Sequence, residues 1–301
     1  MARASKKKQT RRHILITLAA AAGAILFALL AYHLYTTPIP VLQPAGPIAS
    51  GEKSLMITAF LIMLIVVLPV FTLVFTFAWR YRETNKKATY HPNWDHSRII
   101  EAVWWLIPSA LIGVLGLMAW HGSYKYDPYK PLAADRKTLT VQVVALDWRW
   151  LFIYPEQGVA SVNELHLPVS TPVKFEITAD APMNSFWIPQ LGGQVYAMPG
   201  MGTLLHLQAD KTGRYYGSSA NISGEGFADM NFTAIVSSKN SFDNWVRATK
   251  YNTELTETRY SQLAKPTRNH DVITYSRPAD NLYGTIISKY MSMDHDHMEG
   301  M

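Results

Sequence analysis

The 301-residue chain contains no cysteine. Disulfide bonds, thiolate metal sites and cysteine nucleophiles are therefore excluded. None of its ten histidines lies in the long apolar runs at residues 14–31, 55–79 and 102–120. Because a haem inside a membrane helix bundle usually takes an axial histidine from a span, we expect this chain to hold no haem itself.

Acidic residues are scarce in the first third of the chain. Residues 1–101 contain 12 Lys and Arg against 4 Asp and Glu, a balance of +8, whereas residues 102–301 contain 16 against 18, a balance of −2. The positive charge thus lies beside the apolar runs, where membrane topology explains it. We therefore expect no nucleic-acid partner, although the whole chain has a net charge of +6.

The apolar runs indicate a membrane protein. The second and third runs are uncharged and long enough to cross a bilayer, which predicts transmembrane helices at 54–79 and 100–121. The first run is also uncharged and follows a basic segment, so residues 1–35 are either a secretory signal or a first transmembrane helix. Both alternatives leave the rest of the chain in the same orientation.

The charges of the loops indicate that orientation. The loop at 80–99 carries five Lys and Arg against two Asp and Glu, which predicts a cytoplasmic location. The segment at 36–53 is then periplasmic, and so is everything from the linker at 122–137 onward. We expect a multi-pass protein of a bacterial inner membrane with its C-terminal domain in the periplasm.

After the linker, the long apolar runs give way to an alternation of apolar and polar residues. Apolar and polar residues alternate in four short runs, for example at residues 173–178. Such alternation, broken by Gly, Pro and Asn, predicts an all-β antiparallel sandwich or barrel at 138–237. Residues 238–290 predict a short helical, aromatic-rich C-terminal extension. Residues 291–301 form a Met/His-rich tail that either binds a metal weakly or stays unligated.

The loop at 217–230 has the spacing of a metal site. Ser219 and Ser223 lie four residues apart, Phe227 follows four residues later and Met230 three after that. Cysteine at 219 and 223 with histidine at 227 would make these positions suit copper, because thiolate, imidazole and thioether are its preferred soft ligands. Only the methionine is present.

Four motifs carry a resemblance to a known family. They are Asp147-Trp148-Arg149-Trp150, Tyr154-Pro155-Glu156-Gln157-Gly158, Met183-Asn184-Ser185-Phe186-Trp187-Ile188-Pro189 and the loop at 217–230. With the two preceding helices, they resemble subunit II of the haem–copper terminal oxidases, and within that family its bo-type, ubiquinol-oxidising branch. The resemblance implies a membrane helical hairpin followed by a cupredoxin-like Greek-key sandwich.

In the cytochrome c oxidase branch of this family, the periplasmic domain binds a dinuclear copper centre, CuA. The resemblance places the positions of its ligands at Asn184, Ser219, Asn221, Ser223, Phe227 and Met230. Only Met230 matches, and serine hydroxyls do not replace bridging thiolates. The resemblance therefore implies no metal or other cofactor in this chain and no electron transfer from cytochrome c.

For the ubiquinol-oxidising branch, the resemblance implies a subunit of a proton-pumping oxidase that reduces oxygen to water. The large subunit I would oxidise ubiquinol and hold the haems and copper, and small membrane subunits III and IV would complete the complex. This chain would have a structural and assembly role, with Trp148 and Trp150 as packing residues.

Glu101 is a candidate for chemistry in this chain. It opens the second predicted transmembrane helix, where the helix dipole favours a carboxylate even without a function. An ionisable group at a membrane helix end is also a candidate for proton transfer. The resemblance favours proton uptake, because it implies a glutamate of subunit II at the mouth of a proton pathway into the large subunit.

Two other functions stay open from the residues alone. One is a membrane-anchored cupredoxin-like protein that binds or delivers a metal, which would need a complete ligand set near 184 and 219–230. The other is an external sandwich without an oxidase partner. That second alternative does not explain two membrane helices together with the spacing of the loop at 217–230.

Overall fold

The computed structural model describes residues 17–18, 21–33, 36–37, 39–89, 96–133, 136–268 and 271–298, with side chains up to residue 291. The chain divides into two compact units, Met1–Gln43 and Pro44–Met301. The described part of the first unit contains helix α1 at Ala21–His33 and a 3-10 turn at Pro40–Leu42. The basic segment at 1–16 lies outside the described residues, so the choice between a signal and a first span stays a prediction.

Two long apolar helices open the second unit. α2 spans Pro47–Arg80 and α3 spans Arg98–Lys125, and both are long and apolar enough to cross a membrane. α2 begins before residue 54 because proline is favoured at the first position of a helix. α3 continues past residue 121 into the predicted linker. The most apolar 18-residue stretch of each helix is not covered by any other part of the described chain.

A two-sheet sandwich follows the helices, as predicted. Its strands are β1 Leu139–Leu146, β2 Arg149–Tyr154, β3 Val159–Val162, β4 Glu164–Pro168, β5 Pro172–Ala179, β6 Asn184–Trp187, β7 Val195–Ala197, β8 Thr203–Gln208, β9 Gly213–Ser219, β10 Asn231–Ser237, β11 Glu254–Leu255 and β12 Ile273–Pro278. The larger sheet has the order β11-β12-β3-β2-β1-β5-β8, and the smaller sheet has the order β4-β10-β9-β6-β7.

The prediction of an antiparallel domain at 138–237 is wrong for two strand pairs. β1 pairs in parallel with β5, and β4 pairs in parallel with β10. β11 and β12, which lie beyond that domain, are also parallel. Parallel neighbours need a crossover connection, and the chain passes through β2, β3 and β4 before β5 returns beside β1. Side chains alternate with a period of two in both kinds of sheet, so the sequence pattern does not distinguish them.

Aromatic side chains fill the space between the two sheets. Phe186 and Phe232 stack with their ring centroids 5.2 Å apart, and Trp150 meets Phe186 edge-on at 5.5 Å. Each such pair adds about 0.5–1.5 kcal/mol beyond the burial of apolar area. Because these rings lie on β2, β6 and β10, they hold the strands whose ends carry the candidate site.

The C-terminal extension is not purely helical, which corrects the prediction for 238–290. Helices α4 Lys239–Thr249, α5 Glu257–Leu263 and α6 Leu282–Met298 alternate with β11 and β12. β12 is a strand because it pairs antiparallel with the distant β3. α6 continues through the predicted tail as far as Met298. The extension covers the outer face of the larger sheet, which is why β2 is buried almost throughout.

Candidate functional site

The predicted ligand positions lie where strands of the smaller sheet begin or end. Asn184 begins β6, Ser219 ends β9, and Met230 directly precedes β10. β6 and β9 are antiparallel neighbours, with Phe186 opposite Ser219. This pairing brings positions 184 and 219 together from distant parts of the chain.

A hydrogen-bonded network occupies this place. The Ser219 hydroxyl donates to Asn184 Oδ1 at 2.9 Å, and Asn184 Nδ2 donates to the carbonyl of Pro182 at 2.7 Å. The backbone N–H of Asn221 approaches Ser219 Oγ at 3.4 Å, and Asn221 Nδ2 donates to the carbonyl of Met183 at 2.9 Å. Asn184 and Ser219 are only 1% and 7% exposed. Their polar groups are thus satisfied within the protein, as buried polar groups usually are.

The side chains of Ser223, Phe227 and Met230 take no part in this network. The Met230 side chain is buried in the hydrophobic core between the sheets. Phe227 opens a 3-10 turn at Phe227–Asp229 and is half-buried. The Ser223 hydroxyl is buried without a hydrogen-bond partner among the described residues. Side-chain hydrogen bonds among the described residues therefore join only Asn184, Ser219 and Asn221. Met230 is joined to Ser219 and to Phe227 through its backbone alone.

The residues present do not fit a copper pair. Such a pair needs bridging thiolates, but the Ser219 hydroxyl bonds Asn184, and that residue has an amide where an imidazole is required. Within the part of the chain that the structure describes, no group of three or more His, Cys, Asp or Glu side chains is placed to hold a metal ion. No observation on these residues favours a metal-binding or metal-delivering protein.

Trp148 packs directly on the backbone of the loop at 217–230. It lies in the two-residue turn between β1 and β2 with φ of 65°, a left-handed conformation that is uncommon for a bulky residue. A Cβ atom at Gly226 would lie 2.3 Å from the Trp148 ring, and one at Gly224 would lie 3.3 Å from it. Trp148 is thus a packing residue, and Trp150 is fully buried in the core.

Gly226→Ala is expected to destabilise the β domain by about 1–3 kcal/mol, because the added methyl group overpacks the contact with Trp148. The free energy of unfolding in denaturant measures this cost. The matched control is the same change in a Trp148→Ala background, where the cost should largely disappear. An equal cost in both backgrounds would contradict the contact.

A second polar cluster surrounds Asp180, four residues before Asn184, and sequence reasoning missed it. The Asp180 carboxylate, on a residue only 7% exposed, accepts hydrogen bonds from Tyr260 Oη, Lys289 Nζ and Tyr290 Oη, each at 2.6 Å. Burial raises the pKa of Asp180, but these three donors outweigh burial and hold the pKa below its usual value. The partners lie 80 to 110 residues away in sequence, so no local pattern could indicate the cluster.

Glu101 lies far from both clusters, at the other end of α3. It is in the first turn of the helix, with an exposed side chain, and its backbone N–H donates to the carbonyl of Ser97 at 2.9 Å. The 28-residue helix is roughly 40 Å long at 1.5 Å per residue. A carboxylate at this position suits both an interaction with the helix dipole and proton uptake. The role of Glu101 therefore stays a prediction.

Three family models match the chain. "Cytochrome C oxidase subunit II, transmembrane domain" matches residues 35–121, and "Cytochrome C oxidase subunit II, periplasmic domain" matches residues 112–238. "COX Aromatic Rich Motif" matches residues 250–294, which contain two of the three Asp180 donors on α6 and the third on α5. The matches together follow the order of helices, sandwich and extension.

Relatives of known name are similar over most of the chain. Cytochrome bo(3) ubiquinol oxidase subunit 2 of Pseudomonas putida is 48% identical over 255 residues, which cover 84% of this chain and 81% of that protein. The protein of the same name from Pseudomonas aeruginosa is 49% identical, with 82% of this chain and 75% of that protein covered. Ubiquinol oxidase subunit 2 of Acetobacter aceti is 46% identical, with 84% and 83% covered. This identity, together with the family models and the fold, shows that the chain belongs to the ubiquinol oxidase subunit 2 family, within the wider family of cytochrome c oxidase subunit II.

Proposed function

We propose that this chain is the redox-free subunit II of a proton-pumping terminal ubiquinol oxidase in a bacterial inner membrane. The observation that carries the proposal is the 2.9 Å hydrogen bond between Ser219 and Asn184, at positions where the family resemblance implies copper ligands. A hydroxyl and an amide that bond each other form no redox centre that could accept an electron. Ubiquinol in the membrane, rather than cytochrome c, would then be the electron donor.

Membership of the family makes this chain a membrane-anchored subunit of an oxidoreductase complex with a periplasmic domain. We propose that the unburied apolar faces of α2 and α3 pack against the large subunit I and the small subunits III and IV. Subunit I would hold the haems and the copper at which oxygen is reduced. The role of the present chain is then structural, apart from proton uptake at Glu101.

Isolation of the complex by a tag on this chain tests the proposal. The complex should show haem absorbance and ubiquinol-driven oxygen uptake, and it should not oxidise reduced cytochrome c. The same chain isolated without its partners should be colourless and free of metal. Copper bound stoichiometrically to the isolated chain would overturn the redox-free assignment.

Glu101→Ala is expected to slow oxygen consumption and internal proton uptake without loss of assembly. We expect a decrease of roughly tenfold, smaller than the loss of a buried proton donor, because water reaches the exposed side chain. Both rates are measured on the complex in sealed vesicles. Glu83→Ala, an exposed carboxylate in the segment between α2 and α3, is the matched control and should leave both rates unchanged. Unchanged rates in Glu101→Ala would leave only the dipole role.

A further inference from the structure

The start of α2 is fastened to the β domain by backbone contacts. The N–H of Ala45 donates to the carbonyl of Gln190 at 2.8 Å, and the N–H of Asp210 donates to the carbonyl of Ala45 at 2.7 Å. A Cβ atom at Gly46 would lie 2.0 Å from the carbonyl oxygen of Gln208, so only glycine allows this approach. The start of α2 therefore meets the sandwich in a fixed joint.

A cavity of about 160 Å³ lies at this joint. Its lining includes a carboxylate, a phenol and an imidazole, from Glu52 on α2, Tyr126 directly after α3 and His206 on β8. A water molecule needs roughly 10–15 Å³ of such space and two to four polar partners. The cavity thus has the volume and the polar lining to hold several water molecules in contact with titratable groups.

Glu52 is held in this cavity by a neutral donor. Its Oε1 accepts the backbone N–H of Gly193 at 3.2 Å. A Cβ atom at position 193 would lie 3.1 Å from that oxygen, closer than most side-chain contacts. A backbone N–H can donate a hydrogen bond to a carboxylate, and it can also donate to the carbonyl oxygen of a protonated carboxyl group. Glu52 therefore differs from Asp180, whose ammonium partner favours the charged form.

His206 is held in one tautomer beside the same cavity. Its Nδ1 lies 2.9 Å from the carbonyl oxygen of Pro128, and its backbone N–H donates to that oxygen at 3.0 Å. A carbonyl oxygen only accepts hydrogen bonds, so Nδ1 carries the hydrogen and Nε2 is the nitrogen that takes up a further proton. His206 is 7% exposed and lines the cavity.

One other charged group lines the cavity, and two more are close to the lining residues in sequence. Asp127 lines it, and its Oδ1 accepts the N–H of Tyr129 at 2.9 Å, which fixes that carboxylate in a local turn. Lys53 on α2 and Lys125 at the end of α3 are the neighbouring basic residues in sequence. The β domain contributes the amide of Gln194 beside His206. Glu52 and His206 are each held by a hydrogen bond at one atom, Oε1 and Nδ1, which leaves Oε2 and Nε2 as the atoms that can exchange a proton.

We propose that Glu52 and His206 form a proton-exchange site at the external ends of the membrane helices, through which protons pass to the periplasm. This inference rests on the proposed function and extends it from uptake at Glu101 to release. Protonated Glu52 gives its proton to water in the cavity, and that water passes a proton to His206 Nε2 or to the external solution. The Glu52 carboxylate is then reprotonated from the membrane side, so only O–H and N–H bonds form and break.

The test uses the oxidase complex in sealed vesicles, with electron transfer, internal proton uptake and external proton release timed separately. Glu52→Gln keeps an oxygen for the Gly193 N–H but carries no exchangeable carboxyl proton. External release should become about 100-fold slower, the low end of what a positioned proton-transfer group contributes. First-turnover electron transfer should stay unchanged. His206→Asn should slow release in the same direction, and Glu52→Asp should restore most of it.

Matched measurements separate this site from a structural joint. Glu156→Gln removes an exposed carboxylate of the β domain and should release protons as the native complex does. Haem content confirms assembly of each variant. Native release in an assembled Glu52→Gln or His206→Asn complex overturns the site, as does failure of both variants to assemble, which would indicate a purely structural joint.

The release measurement also separates this site from two related hypotheses. If the Glu52→Gln complex loses a bound phosphatidylethanolamine but releases protons at the native rate, Glu52 binds a lipid head group instead. That result would overturn the proposal. Slower internal uptake in Glu101→Ala with native release in Glu52→Gln would overturn this site and leave the proposed function standing. Native uptake in Glu101→Ala, with slower release in Glu52→Gln, would remove the uptake role of Glu101 alone.

Discussion

A five-residue replacement is expected to convert the loop at 217–230 and its neighbour β6 into a coloured copper site. The changes are Asn184→His, Ser219→Cys, Asn221→Glu, Ser223→Cys and Phe227→His, with Met230 kept. The full-length chain should then bind a copper pair, because thiolates and imidazoles at these positions supply the soft ligands that copper prefers. Metal analysis and visible absorption of the purified chain measure the gain.

The structure indicates that the scaffold tolerates these changes. Replacing Ser219 removes its 2.9 Å hydrogen bond to Asn184, a loss of about 1 kcal/mol. Replacing Ser223 removes no side-chain hydrogen bond among the described residues, because its buried hydroxyl has no partner there. The Trp148 contact with Gly224 and Gly226 involves none of the replaced residues, so we expect it to hold the loop backbone in the variant as well.

The matched control for the copper experiment keeps Ser223 and makes the other four changes. One thiolate cannot bridge two metal ions from both sides, so this variant should lack the absorption of a thiolate-bridged pair. If the five-residue variant is folded and still binds no copper, the strand ends do not retain the geometry of a ligand set. The interpretation of the loop as a former copper site would then be wrong.

Asp180→Ala is expected to destabilise the β domain by about 3 kcal/mol, the low end for breaking a buried ion pair. The low end applies because the Lys289 side chain is 50% exposed, which lets water screen its attraction to the carboxylate. The change leaves Tyr260 and Tyr290 without their shared acceptor, so α5 and α6 lose this polar attachment to the sandwich while their apolar contacts remain. Denaturant unfolding of the detergent-solubilised chain measures the loss, and limited proteolysis should cut near α6 first.

An exposed ion pair provides the control for Asp180. Asp243 pairs with Lys239 one helical turn away on α4, at the protein surface. Asp243→Ala should cost no more than about 0.5 kcal/mol, the usual value for a pair of this kind. Equal losses from Asp180→Ala and Asp243→Ala would show that the buried cluster does not anchor the extension.

Acid should remove the contribution of Asp180. The folded-state pKa of Asp180 lies below its usual value of 3.8, so its stabilisation is present above that value. It is lost as the pH falls through the lowered folded-state pKa. The free energy of unfolding of Asp180→Asn should therefore fall less in acid than that of the native chain. An equal fall in both proteins would contradict this role of Asp180.

Patterns of polarity predicted most of the fold because they report which face of an element is buried. Two uncharged runs predicted α2 and α3, and alternation over 138–237 predicted the sandwich. The parallel pairs and the strand β12 were not predictable in this way. A strand has the same alternation whichever way its neighbour runs, and β12 is a strand because it pairs with β3, more than a hundred residues earlier.

The sequence by itself determined that the loop at 217–230 has no thiolate or imidazole, because ligand chemistry belongs to the residue types. It also determined that two segments suit a membrane, because their lack of charge is a local property. Only the tertiary structure decided that Ser219 bonds Asn184, that Asp180 receives three donors, and that Glu52 and His206 share a cavity. These contacts join residues far apart in the chain, so they depend on strand pairing and helix docking that no local pattern encodes.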